Sequence, residues 1–300
     1  MTERLRFLTL ICVLTLPTLL RAQGVTPAPI DQALGRSGQK TGDVYRVSFP
    51  RTDLHVSLKG VAIKPGLALG SWAALLGTDD NAMVMGDLVL LEEELNPVMA
   101  KLRSSGFEIS AVHNHLMEEN PKVLYLHYMG HGSSKQLATS LRTALEASKT
   151  PLEKPAAAAE EPAPPAWVKT VEDAVGRKGT FKGGVLSFGV PRGDAVTMAG
   201  MTIPSAAGVG EAINFQAADS GNVATTGDFV LTADEVNQVL SELQGHKILV
   251  TALHSHMLTE QPRLFFMHFW SVGSPESVGA WHQSGAGPGR CKVRSVFNGG

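Results

Sequence analysis

Two spacings of hydrophobic residues alternate along the chain. Runs such as Val44 to Phe49 and Leu54 to Ile63 approach a period of two, which is typical of half-buried strands. The four residues 95, 98, 99 and 102 are apolar at i, i+3, i+4 and i+7, which puts one apolar stripe on a helix. Strands and helices mix without the regular alternation of a parallel sheet, so the pattern predicts an α+β fold.

The same succession of patterns occurs twice, 141 positions apart. Residues 86–129 align with residues 227–270 without a gap, and 14 of the 44 pairs are identical. A capping box of Thr232 and Glu235 precedes the helix of the second copy. We therefore predict two tandem copies of one domain, each an antiparallel-rich mixed sheet with packed helices, in a pseudo-twofold arrangement.

Composition sets the limits of these copies. Residues 148–167 are rich in proline and alanine, which predicts an extended linker between a first domain at 30–147 and a second at 168–275. Residues 276–300 are expected to form an irregular tail, because a glycine-rich segment interrupts the helix that the first copy has at the same place.

The first 22 residues have the features of a signal peptide. Arg4 and Arg6 precede an apolar run from Phe7 to Leu20, which is too short to span a bilayer. Cys12 follows Ile11, whereas a lipid-anchored cysteine requires a small residue before it. We therefore expect export to the periplasm or the medium, cleavage after the signal, and no membrane contact afterwards.

The charge of the chain bears on its binding partners, and its cysteine content bears on disulfide bonds. The 26 basic and 28 acidic residues give a net charge of −2, and no basic patch indicates a nucleic-acid partner. Removal of the signal peptide leaves Cys291 as the single cysteine, so no internal disulfide is expected. Stability must then come from packing.

Each copy carries three histidines and one glutamate at a shared spacing. Strand-like runs flank them, and a short segment that ends in proline predicts a β-hairpin that returns the third histidine to the first two. Imidazole nitrogens and carboxylate oxygens are ligands for divalent transition metals. The candidate metal ligands are His113, His115, Glu119 and His127 in the first copy and His254, His256, Glu260 and His268 in the second.

Zinc is the first candidate for this site, with iron, manganese, nickel and copper as alternatives. Because each copy has four candidate ligands, we expect two separate sites. Glu119 and Glu260 are alternatively general bases beside a three-histidine metal. Two interpretations without a metal stay open, a pocket for a small polar ligand and a structural hydrogen-bonded network.

These features predict an exported, soluble protein with a divalent-metal site in each repeat. A metal in such a site can activate water for hydrolytic or other Lewis-acid chemistry. The alternative is a non-catalytic module that binds a small polar molecule or captures metal. The pattern favours no particular substrate.

Other polar residues have simpler interpretations. The acidic run 92–94 is expected in the first turn of a helix, where carboxylates interact favourably with the helix dipole. The Gly-Asp pairs at 86–87 and 227–228 are interpreted as turn chemistry, the alternative being that the aspartates orient a ligand histidine. Arg51 and Arg192 are expected in surface ion pairs, the alternative being that they bind an anion.

Several segments also resemble a known family. The block at 82–90, the His-Asn-His-Leu and His-Ser-His-Met segments, and the run 263–270 are similar to the LppY/LpqO family of exported lipoproteins. The likeness covers both copies, at about 30–147 and 168–275, and implies export and a duplicated domain. The family is a domain of unknown function, so the likeness implies no activity and no catalytic residues. The chain departs from the lipoprotein name at Cys12.

Overall fold

The computed structural model describes residues 24–153 and 161–280. The predicted signal peptide at 1–22 lies outside these residues, and so does the predicted tail from residue 281 onward. Residues 154–160 of the predicted linker are also outside them.

The first copy contains all the elements that precede the linker. In chain order they are α1 (Pro27–Leu34), β1 (Gln39–Thr41), β2 (Val44–Pro50), β3 (Ser57–Leu58), β4 (Val61–Ala62), α2 (Pro65–Ala68), β5 (Gly70–Gly77), β6 (Ala82–Leu91), α3 (Glu92–Ser104), β7 (Glu108–His113), β8 (Val123–Gly132) and α4 (Ser134–Leu145).

The second copy repeats this order, with short 3₁₀ turns at Ser205–Ala207 and Asp219–Gly221. Its elements are α5 (Ala166–Val175), β9 (Thr180–Lys182), β10 (Val185–Val190), β11 (Thr197–Met198), β12 (Met201–Thr202), β13 (Glu211–Ala217), β14 (Val223–Leu231), α6 (Ala233–Gly245), β15 (Leu249–His254), β16 (Phe265–Gly273) and α7 (Pro275–Ala280).

Each copy forms one six-stranded antiparallel sheet. The strand order is β1-β2-β5-β6-β8-β7 in the first sheet, and β9-β10-β13-β14-β16-β15 repeats it in the second. The hairpins β3–β4 and β11–β12 form separate two-stranded sheets. The predicted α+β fold with two tandem, antiparallel-rich repeats is therefore confirmed.

One face of each sheet is covered by helices of the same copy. In the first copy, Leu88 of β6 lies in one buried cluster with Val98 and Leu102 of α3. In the second copy, Phe229 of β14 packs in the same way with Val239 of α6. The amphipathic stripe that predicted α3 is thus the face that the helix buries.

The other face of each sheet packs against the other copy. Met83 of β6 shares a buried cluster with Met198 and Phe266, and Val89 shares another with Trp270. Because side chains alternate along a strand, polar residues in the same phase as Met83 and Val89 also face the interface between the copies.

Matching hydrogen bonds across this interface reveal the pseudo-twofold relation. Ser110 Oγ donates to the carbonyl oxygen of His256, and Thr251 Oγ1 donates to the carbonyl oxygen of His115. The two donors are 141 positions apart, as are the two acceptors. Each copy therefore makes the same contact to the other.

Two predicted elements differ in the structure. The strand expected from Leu54 to Ile63 is the small hairpin β3–β4, because Lys59 and Gly60 take positive φ angles and reverse the chain. The tail does not become irregular at residue 276, since α7 continues to Ala280.

The ion pairs of the two arginines are buried rather than on the surface. The Arg51 side chain is fully buried, and its Nη1 donates to Glu94 Oε2 at 2.7 Å and to the carbonyl oxygen of Val89. Arg192 repeats the pair with Glu235. Each arginine therefore ties the first turn of a helix to the neighbouring strand.

The acidic run 92–94 does begin α3, as expected.

Candidate metal centre

The two predicted hairpins, β7–β8 and β15–β16, carry the histidines. Ala111 lies opposite His127 in the first hairpin, after a register shift that begins at Ile109. His113 ends β7 and His115 follows in the turn. His113 Nε2 nevertheless lies 2.8 Å from His127 Nε2, so the hairpin brings the third histidine back to the first as predicted.

All six histidines meet at the interface between the copies. Their rings stack across it in three pairs, with centroids 3.6 Å apart for His113 and His254, 3.8 Å for His115 and His268, and 3.7 Å for His127 and His256. We call these residues the six-histidine cluster. We expected two separate sites, whereas the hairpins of both copies lie against each other and their histidines form a single cluster.

His113 connects the two halves of the cluster. Its ligand nitrogen lies within 4.8 Å of those of His115 and His127, and also within 4.8 Å of those of the second-copy triad, His254, His256 and His268. Because His113 belongs to both groups, histidines of the two copies lie close enough to share one ion.

The predicted glutamates stand apart from these nitrogen groups. Glu119 Oε1 accepts a hydrogen bond from the N–H of Val123 at 3.3 Å, and Glu260 Oε1 accepts one from the N–H of Leu264 at 2.9 Å. Glu260 also forms an ion pair with Arg263. Each glutamate thus closes its hairpin loop, and among the described residues neither joins a potential metal-ligand group.

Two aspartates lie beside the cluster instead. Asp87 is directly opposite His127 in the β6–β8 pairing, and Asp228 is opposite His268 in β14–β16. Asp87 Oδ1 lies 3.8 Å from His127 Nε2, and Oδ2 lies 3.8 Å from His115 Nε2. Interpreting the Gly-Asp pairs as turns was therefore wrong. Their repetition in both copies was the signal that could have identified them.

The glycine before each aspartate orients the third histidine. His268 Nδ1 lies 3.1 Å from the carbonyl oxygen of Gly227, and the backbone of Gly86 hydrogen-bonds to the His127 ring. An Nδ1–H that donates to a carbonyl fixes the tautomer and leaves the Nε2 lone pair free. A Cβ at Gly227 would lie 2.0 Å from the carbonyl oxygen of Ala212, so the close approach of the strands requires glycine.

Burial keeps the cluster uncharged. It lowers the pKa of His113 to about 4 and the pKa of His268 to about 3. Burial and then repulsion from neighbouring imidazoles also lower the pKa values of the other four histidines. All six are therefore neutral at pH 7, which is the form of histidine that binds metals.

Several buried atoms of the site have no hydrogen-bond partner. Among the described residues these atoms include His115 Nε2, both ring nitrogens of His254, His256 Nε2, His268 Nε2 and Asp87 Oδ1. Each such atom costs about 1–3 kcal/mol when it is left unpaired. Most buried polar side-chain atoms in proteins are paired, so these unpaired atoms favour a bound ligand over a purely structural network.

The donor set fits a transition metal. In a tetrahedral zinc site with Zn–N bonds of about 2.1 Å, the nitrogens lie about 3.4 Å apart. The nitrogens of each group lie within 4.8 Å of one another, so they can close around one ion if the rings move closer together. Neutral imidazoles with carboxylates suit zinc, and they also suit iron, manganese, nickel and copper.

Burial also shifts the pKa values of the two aspartates. It raises the pKa of Asp228 to about 7 and that of Asp87 well above its usual range, with repulsion from Asp228 as a further cause for Asp87. Arg46 lowers both pKa values by its positive charge. A cation next to the pair would favour the ionised carboxylates in the same way.

A cavity of about 720 Å³ opens onto the cluster. Its walls include His115, His127, His256, His268, Asp87 and Asp228, together with Arg46 and Trp72 of the first copy. A small molecule in this space can therefore reach the side of the cluster where the aspartates lie. Sequence analysis did not single out Arg46 or Trp72, because neither residue is repeated in the second copy.

The chain belongs to a family described as Domain of Unknown Function (DUF1259). The family model matches residues 28–147 and 169–283, once in each copy. The match confirms the internal duplication, and its description assigns no activity.

Other comparisons add little. No curated protein sequence matches the chain. A solved trimeric bacterial microcompartment shell protein, PduB, is similar at 11% identity over 87% of this chain and 89% of that one, with a TM-score of 0.20. A score this low supports no argument about fold or function. Within the described ranges, no helix combines the length and apolar character needed to cross a membrane.

Proposed function

We propose that the six-histidine cluster binds a divalent transition metal, with zinc as the first candidate, and that Asp87 and Asp228 balance its charge from beside the ligand histidines. The observation that carries this proposal is the convergence of buried imidazole nitrogens that have no hydrogen-bond partner. A bound metal satisfies these atoms, because each neutral imidazole offers it a lone pair.

The ligands come from both copies. His113 shares a ligand group with His115 and His127 and another with the second-copy triad, so the proposed centre is composite. The carbonyls of Gly86 and Gly227 orient His127 and His268, as groups beside metal ligands commonly do. In this proposal Glu119 and Glu260 hold the hairpins rather than the metal.

The cavity makes the proposed centre accessible to a small molecule. A divalent metal supplies a Lewis acid and lowers the pKa of bound water to about 7. We therefore propose hydrolytic or related Lewis-acid chemistry on a small substrate that enters the cavity.

We also propose that the protein is exported. Within the family that its two copies match, we propose that it is a member of the LppY/LpqO type. The basic and apolar order of residues 1–22 supports export. The histidine segments that match in both copies support the narrower family assignment.

Elemental analysis of the purified protein tests the metal proposal. The protein is stripped with a chelator, reloaded with zinc, dialysed and analysed for metal per chain. We expect at least one tightly bound ion, which is lost in His113→Ala and in His254→Ala. His131→Ala is the matched control, because His131 lies on β8 with His127 but is exposed.

The two parts of the proposal have separate outcomes. Metal content that is the same in His113→Ala, His254→Ala and the control would overturn metal binding at the cluster. The loaded protein is then assayed with small esters, phosphoesters and amides. Bound metal without turnover of any of them would favour metal capture over hydrolysis.

A further inference from the structure

The cavity beside the cluster breaks the pseudo-twofold symmetry. Trp72 lies opposite Asp87 in the β5–β6 pairing, and the residue opposite Asp228 in the second copy is Ala212. By the same comparison of registers, the counterpart of Arg46 is Ser187. The pairing of a guanidinium with an aromatic ring on the cavity wall therefore occurs in the first copy and has no counterpart in the second.

The Arg46 side chain is held in place by the second copy. Its guanidinium lies 3.8 Å from the centroid of the Trp72 ring, and its Nη1 donates to the carbonyl oxygen of Ala206 at 3.1 Å. Gly208 leaves room for this stack, because a Cβ there would lie 2.5 Å from the edge of the Trp72 ring. A guanidinium fixed in this way can present its remaining N–H donors without further ordering.

The charges around Arg46 change when a metal binds. Asp87 and Asp228 are the groups that favour its positive charge most strongly. In the proposed metal centre these carboxylates compensate the metal instead. Arg46 and Lys182 both line the cavity and bring positive charge to its wall, where Glu211 is a further acidic group.

We propose that the cavity binds a small organic anion, a carboxylate or a phosphate, whose oxygens are held by the Arg46 guanidinium while the rest of the molecule faces the six-histidine cluster. This inference rests on the proposed metal centre for its charge balance. A planar guanidinium matches both oxyanions through paired hydrogen bonds. Because Ser187 offers no second guanidinium, the anion binds in one orientation.

Calorimetric titration of the zinc-loaded protein with inorganic phosphate, and separately with acetate, tests the inference and distinguishes the two anions. We expect Arg46→Gln to weaken binding of the preferred anion by about tenfold or more at unchanged zinc content, and Arg46→Lys to restore part of it. Ser187→Ala is the matched control and should bind as the unsubstituted protein does. Metal content and the unfolding midpoint are measured for every variant.

Chemical protection provides a test that needs no substitution. Phenylglyoxal modifies arginines, and the rate at Arg46 is followed by peptide mass spectrometry with and without phosphate or acetate. We expect the preferred anion to slow modification of Arg46 and to leave the rate at Arg103, which is exposed, unchanged.

The outcomes separate this inference from the metal proposal. Equal anion affinity in Arg46→Gln and the unsubstituted protein, or no protection of Arg46 by either anion, would overturn it. Arg46 would then serve only to balance the aspartates and to join the copies. Protection of Arg46 in a protein that holds no zinc would support the anion site while the metal proposal failed.

Discussion

The ring of His113 stacks on the ring of His254 with their centroids 3.6 Å apart, although 141 positions separate the two residues. The pseudo-twofold axis therefore passes between equivalent residues of the two copies. Duplicated domains with separate sites could each function alone. Here His113 belongs to both potential ligand groups, so the proposed centre draws on both copies.

This dependence predicts how metal binding responds to substitution in one copy. The double variant His254→Ala with His256→Ala should lower the zinc affinity of the whole chain by at least about tenfold, because the composite centre draws ligands from both copies and the first-copy triad alone does not complete it. Competition with a chromogenic zinc chelator measures the affinity.

The mirror variant, His113→Ala with His115→Ala, should have an equally large effect. The opposite result would be a double variant that binds half as much zinc per chain with unchanged affinity. That result would show two independent centres, one in each copy.

The sequence predicted the parts of this fold that depend on local spacing. The stripe from Leu95 to Leu102 became α3, and the alternating runs around the histidines became the hairpins. How the copies pack could not be predicted in the same way. Their contact depends on surface shape, and the equivalent residues Ser110 and Thr251 reveal it only once the two sheets are seen face to face.

The choice of carboxylate shows a second limit of local patterns. Glu119 shares a motif with the histidines, yet its oxygen is used by the N–H of Val123. Asp87 is 40 positions from His127 in the chain and reaches the histidines by strand pairing, so the pairing register decides its neighbours. A pattern within one segment does not contain that register.

Asp87→Asn and Asp228→Asn test the role of the two aspartates. Each change removes a charge and keeps the shape, so zinc affinity should fall by about tenfold or more if the carboxylates act on the metal. The metal-free variants should be no less stable at neutral pH than the unsubstituted protein, because ionising a buried carboxylate is unfavourable. Zinc titration and urea unfolding measure the two effects.

Asp80→Asn is the control for these variants, because Asp80 is exposed on the same copy. Equal zinc affinity in Asp80→Asn and Asp87→Asn would mean that the aspartates only line the cavity.

Gly227→Ala should destabilise the second sheet. The added Cβ would lie 2.0 Å from the carbonyl oxygen of Ala212, and this backbone atom cannot move without disturbing the β13–β14 pairing. We expect a loss of about 2–3 kcal/mol in the free energy of unfolding, in the range of other overpacked sites. Urea unfolding of the metal-free protein measures it.

Gly189→Ala is the matched control within the same sheet. A Cβ at Gly189 meets no atom within 4 Å, so its effect should stay below about 1 kcal/mol. Equal stability of the two variants would show that the strands at Gly227 can separate at little cost.

Glu211 should make stability depend on pH at a position where the first copy has no carboxyl group. Its counterpart in the first copy is Ser71, whose Oγ accepts a hydrogen bond from the N–H of Val89 at 2.8 Å. Among the described residues, Glu211 Oε2 has no hydrogen-bond partner. Burial raises the pKa of Glu211 to about 8, repulsion from Asp228 and Glu235 adds to the shift, and Arg192 opposes it. The folded protein therefore keeps this proton at pH values where the unfolded chain has released it.

The sign of the effect follows from this raised pKa. Below the pKa that this carboxyl has in the unfolded chain, near 4.5, its contribution to the stability of the folded protein is fully present. The contribution is lost as the pH rises from there through the folded-state pKa of about 8. Glu211→Gln removes this dependence. We compare the free energy of unfolding of Glu211→Gln with that of the unsubstituted protein at each pH. Between pH 4 and pH 9 this difference should shift by roughly 2–5 kcal/mol in favour of the variant. Urea unfolding of the metal-free proteins at pH 4, 7 and 9 measures the gain, with the exposed Glu93→Gln as control. A difference between Glu211→Gln and the unsubstituted protein that stays constant with pH would mean that packing, and not the buried proton, sets the contribution of this residue.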